Sequence, residues 1–164
     1  MEEKMGFARL PIAVLSLFAL SSPIAAQGEI SVERGLYVST IGGCHDCHTE
    51  GYAESGGKID PSKAMKGNPS VGWRGPWGVI YATNLRLTAY LRDEDSFVEY
   101  LKTMNNALPP MPWYNVNAMH ESDLRSLYRY IMSLGEPGKP VPLPSAEEPK
   151  TPYIVIAPPT MPKS

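Results

Sequence analysis

The chain of 164 residues has two cysteines and three histidines, and this scarcity restricts its chemistry. A zinc site on Cys44 and Cys47 would need a second pair of ligands. Outside residues 44–48 the sequence offers only His120 and no further cysteine. A thioredoxin-like pair needs a strand–turn–helix context that the flanking residues do not provide. Charge is nearly balanced, with 15 Lys and Arg against 17 Asp and Glu. No basic patch therefore points to nucleic acid, and no acidic run points to a solvated tail. A mildly acidic surface biases partner choice only weakly. Internal repeats are absent. The apolar run Leu10 to Leu20 is too short to cross a membrane comfortably.

That run has the marks of an export signal. Lys4 and Arg9 give a basic start, diluted by Glu2 and Glu3, and Ser21 to Ala26 end in small residues. Cleavage after Ala26 is expected, with an uncleaved anchor as the other reading. Residues 1–26 then form the signal peptide, 27–135 a folded domain and 136–164 a tail. The 138 residues left after cleavage suffice for one compact domain. The expected location is the periplasm. Membrane association would come only through an uncleaved signal or a membrane-bound partner.

The segment Cys44-His45-Asp46-Cys47-His48 reads C-x-x-C-H, the attachment sequence for a c-type haem. Two thiols three positions apart can add to the two vinyl groups of one haem. The histidine after the second thiol can then present its imidazole to the iron. A disulfide between Cys44 and Cys47 would close a very small loop. One motif implies one haem c, attached through Cys44 and Cys47.

Three helices are legible. The first starts after Ser31, a good N-cap, and stops at Gly42 and Gly43. Val32, Leu36, Ser39 and Thr40 share a face of it, with Gly35 alongside. A second is expected from Asp93 to Asn105, with Phe97, Leu101 and Met104 at helical spacing. The last carries the stripe Leu124, Leu127, Tyr128, Ile131 and Leu134, and Gly135 and Pro137 stop it.

Residues 49–82 read as a long loop rich in glycine. Such a loop needs something to pack on, and a large flat cofactor is a sufficient answer. Trp73, Arg74, Trp77, Tyr81 and Asn84 are candidates to bond haem propionates there. From Glu136 onward nine prolines predict an extended or polyproline-like tail. Its apolar piece, Tyr153 to Ile156, would lie on the domain or dock on a partner.

With His48 on one side, the iron has a sixth position. A thioether would raise the reduction potential and block small ligands. Met111 is the first candidate, because Pro110 and Pro112 restrict its backbone. Met119 is the second, and His120 is a weaker one beside the last helix.

Taken together, the leading helix, the haem motif, the segment Pro110-Met111-Pro112-Trp113 and the closing helix resemble the single-haem class I cytochrome c family. More narrowly, Ile80-Tyr81-Ala82-Thr83-Asn84-Leu85 and the methionine segment are similar to haem domains of cytochrome subunits serving bacterial alcohol and gluconate dehydrogenases. The resemblance covers about residues 30–134. Those subunits usually carry three haem domains, whereas this chain has one motif. The resemblance implies an all-α, cytochrome c-like fold of three to five helices around one haem. It implies that the first and last helices cross, with Gly35 and Tyr37 against Leu127, Tyr128 and Ile131. It implies a non-enzymatic electron carrier between a dehydrogenase and a downstream cytochrome or oxidase, with His48 and Met111 on the iron. The alternatives are a dedicated subunit of one oxidoreductase complex, or a haem sensor or small peroxidase with an open sixth site.

Overall fold

Ser31 starts the first helix as expected. Its Oγ accepts the Arg34 amide at 3.1 Å, which satisfies one orphan donor of helix α1, Val32–Ile41. The computed structural model describes residues 28–160, so the signal and Met161 lie outside the described residues. A short helix α2, Cys44–His48, follows the left-handed Gly43, whose φ is 68°. Then come α3, Leu85–Tyr90; α4, Glu94–Thr103; α5, Trp113–Ala118; and α6, Glu121–Ser133. Asn84 caps α3 and Asp93 caps α4 through side-chain oxygens. None of the described helices is long and apolar enough to cross a membrane.

The two outer helices cross at a glycine. A Cβ on Gly35 would stand 2.0 Å from the Ser126 carbonyl oxygen and 2.6 Å from Tyr130 Cβ. Only a bare Cα lets α1 and α6 come so close. Arg34 Nε donates to Asp123 Oδ1 at 2.8 Å beside the crossing. Tyr37 does not join it: its ring is half exposed, with the Arg34 guanidinium 5.1 Å from its centre. The buried face of α1 is Gly35, Val38 and Ser39. Val32, Leu36 and Thr40 face outward, so that of the expected stripe only Ser39 is buried. Glycine decides this, because backbone approach outweighs the burial of one more branched side chain.

The core fills the space between α6, α4 and α3. Phe97, Leu101, Leu124, Leu127 and Ile131 are its centre, joined by Ala89, Val98 and Tyr130. Arg125 of α6 bonds Glu94, Asp95 and Glu121, which ties the start of α4 to the surface of α6.

The expectation of an all-α chain is corrected by a sheet. Strands β1, Asn68–Gly75, and β2, Gly78–Ala82, form an antiparallel hairpin inside the presumed loop, with Trp73 opposite Ile80. Pro69, Gly72 and Gly75 break the alternation that marks a strand, which hides β1 in the sequence. The tail adds β3, Tyr153–Val155, parallel to β1, giving the order β2-β1-β3. Before that, Ser145 exchanges two backbone bonds with Val79 of β2, at 2.7 and 3.0 Å. The tail thus runs along both outer edges of the hairpin. It is extended, as its prolines require, and it packs on its own chain. The six described helices also exceed the three to five expected. Helices α3 and α5 have six residues each, too short to show a period.

Candidate haem site

A cavity of about 820 Å³ opens between the helices and the hairpin. It falls in the size range of cofactor sites. Cys44, Cys47 and His48 of α2 form part of its wall. Gly42 and Gly43 end α1 tightly enough for α2 to start there. All three chemical groups of the motif therefore stand on one rigid five-residue helix.

His48 is buried, and its Nδ1 lies 2.7 Å from the Thr83 carbonyl oxygen. A carbonyl only accepts, so Nδ1 carries the proton and donates. The lone pair is then on Nε2, the nitrogen available to a metal. Burial lowers the pKa of His48, and the Thr83 carbonyl opposes this. The neutral ring is favoured, as an iron ligand requires.

Burial pushes the Cys44 thiol up to about 11 and raises Cys47 as well. Neither thiol is poised as a thiolate metal ligand or a redox nucleophile. Both are free, not joined as a disulfide.

His45 does something else. Its ring is buried, with Nδ1 2.8 Å from Thr49 Oγ1 and Nε2 3.2 Å from the Tyr130 hydroxyl of α6. Thr49 Oγ1 also accepts the Met65 amide at 2.9 Å. Tyr52 stacks at 5.2 Å between ring centres. Burial lowers the His45 pKa to about 4. The residue is a neutral bracket between the haem motif and the last helix. Its place inside C-x-x-C-H gives no sign of this role.

The expected propionate residues separate. Trp73, Tyr81 and Asn84 line the cavity, whereas Arg74 and Trp77 do not. Tyr81 already bonds Thr151 Oγ1 at 2.8 Å. The Asn84 side chain caps α3 and donates to the carbonyls of Pro137 and Lys139 at 2.7 and 2.9 Å. Trp77 has an Nε1 that is buried without a partner, at the tip of the hairpin. Among the described residues, Arg92 is the single cationic side chain of the lining, and sequence reasoning missed it. Its guanidinium lies over the Tyr100 ring at 4.3 Å and donates to Thr88.

Among the described residues, three methionines line the cavity: Met104, Met111 and Met119. Met65 is fully buried away from it, and Met132 and His120 are outside the lining. Met111 sits in a turn whose amide bonds the Leu108 carbonyl at 3.2 Å.

The walls suit a flat apolar guest. Ile41, Leu91 and Leu143 line the cavity and yet are 65, 69 and 83% exposed. Apolar side chains left open around a concave site mark a surface that a ligand covers. Neutral imidazole, paired thiols, available thioethers and apolar walls together fit haem c.

No family model matches the sequence, and no solved structure matches it. Two curated relatives are similar: the cytochrome c subunits of quinone alcohol dehydrogenases from Gluconacetobacter polyoxogenes and Komagataeibacter europaeus. Each is 26% identical over 138 residues, covering 79% of this chain and 27% of the relative. The chain thus spans about a quarter of the length of these relatives. Their names are consistent with a resemblance to cytochrome c proteins and with an electron-transfer role.

Proposed function

We propose that this chain is a c-type cytochrome that carries one haem and transfers electrons without transforming a substrate. The observation that carries the reading is the bond from His48 Nδ1 to the Thr83 carbonyl, on the helix that holds both thiols. It orients a neutral imidazole with Nε2 free, beside two thiols at attachment spacing. Bound haem c would supply a one-electron Fe(III)/Fe(II) couple. Cys44 and Cys47 would hold it covalently, and His48 would ligate the iron. Met111 is the proposed sixth ligand, with Met119 and Met104 the alternatives that the cavity offers. Trp73 and Arg92 are the proposed propionate partners, since Tyr81 and Asn84 are engaged by the tail.

The apolar walls would exclude water, and a six-coordinate iron would reorganise little between oxidation states. Export to the periplasm, a dehydrogenase donor and a cytochrome or oxidase acceptor belong to the same proposal. A dedicated place in a dehydrogenase complex is the second reading. The names of the two relatives favour it.

The test is an optical spectrum of the exported protein in both oxidation states. Sharp low-spin haem c bands are expected. Met111→Ala is expected to abolish the weak near-infrared sulfur-to-iron band and to let carbon monoxide bind the reduced iron. A spectrum indifferent to Met111→Ala moves the ligand to Met119 or Met104. High-spin haem with rapid carbon monoxide binding in the unaltered protein would replace the carrier by a sensor or peroxidase.

A further inference from the structure

Pro140 to Pro144 line the same cavity as the haem motif. They belong to the tail, nearly a hundred residues from Cys44. Several independent contacts fix the tail there. The Asn84 side chain holds the carbonyls of Pro137 and Lys139. A Cβ on Gly67 would come within 2.6 Å of Val141 Cγ1, so Val141 sits on a position that has no room for a side chain. Gly78 makes the same allowance for Ser145, whose carbonyl oxygen would be 2.4 Å from a Cβ there. Further along the tail, Thr151 bonds Tyr81, Glu148 bonds Arg74, and β3 pairs with β1. Four of the five cavity residues from 140 to 144 are proline or valine, stiff and apolar. Leu143 is the fifth, exposed at the mouth.

We propose that the segment Pro140–Pro144 is a wall of the haem site that sets the iron's redox balance by keeping water from one edge of the haem. The inference rests on the haem reading above. Water stabilises the extra positive charge of Fe(III), so a dry apolar wall favours Fe(II). The tail is then a positioning element of the redox site, and its apolar residues serve the cofactor before any partner.

The experiment measures the Fe(II)/Fe(III) ratio of the haem-loaded protein at one fixed ambient potential. A chain truncated after Pro137 should still carry covalent haem, because α1, α2 and α6 hold the motif. Its ratio is expected to fall about tenfold, equivalent to 59 mV for a one-electron couple. Leu143→Asp in the full chain leaves the fold alone, because the position is exposed. It sets a carboxylate at the cavity mouth, and its ratio should fall about three- to tenfold. Val155→Asp puts the same charge on the same tail, away from the cavity, and should change the ratio less than about twofold.

An unchanged ratio in Leu143→Asp overturns the proposal, and so does an equal effect from Val155→Asp. If the truncated chain fails to fold, the two point variants decide. A full chain that takes up no haem overturns the haem reading and the wall with it. A loaded chain indifferent to Leu143→Asp overturns the wall alone.

Discussion

His45 shows how much one side chain can contribute inside a motif that is read for its other members. Its imidazole is held neutral by burial, well below the ordinary histidine pKa. In the unfolded chain it would titrate near 6.5. Below that pH the unfolded state takes up a proton that the native state refuses until about pH 4. Stability should therefore be full above about pH 6.5 and fall by about 2–3 kcal/mol as the pH drops to 4. His45→Gln, compared with the unaltered chain in urea melts between those pH values, should flatten this slope. Equal slopes in both proteins would show that His45 is not the group responsible. At this scale the sequence singled out Cys44, Cys47 and His48 by residue type and spacing, and the structure brings all three to the wall of one cavity. It was silent on Thr83, whose role is played by a backbone carbonyl that any residue possesses.

Among the elements, the long helices were legible and the short ones were not. Helices α4 and α6 begin at Glu94 and Glu121, where Asp93 and the acidic first turns place them. The hairpin was hidden, since its residues fold onto each other and onto a tail far away in sequence. The face of α1 was misread because hydrophobic spacing ranks Val32 and Leu36 above a glycine. The structure ranks Gly35 first. Gly35→Ala should accordingly push α1 away from the Ser126 carbonyl and cost about 1–3 kcal/mol. Thermal unfolding measures this, and a neutral result would mean that the two helices part without loss. The same substitution at Gly51 meets no atom within 4 Å; only its positive φ, 79°, opposes a side chain there.

Across the whole molecule, Arg86 joins what the elements leave apart. It is buried and bonds no carboxylate; its guanidinium donates to the carbonyls of Pro61, Ala64, Leu134 and Glu136. One side chain thus fastens the glycine-rich segment, the end of α6 and the start of the tail. Its charge also lies at the negative end of the α6 dipole. Arg86→Met keeps the bulk and abandons the carbonyls. It should cost about 3 kcal/mol and make the tail an early target in limited proteolysis. Intact tail protection in that variant would show that the strands alone hold it.

The tail's course has a consequence for how the molecule comes together. Tyr81 and Thr151 are 70 positions apart, and their bond closes a loop around most of the helical core. Such distant pairings form slowly, because the chain must first be brought nearly home. Helices α1 and α2 can set the two thiols in place while that search continues. During folding, the cavity beside the two thiols would stand open on one flank until the proline segment arrives. Any guest of that cavity would have an interval in which to enter, and the late-coming strap would end it.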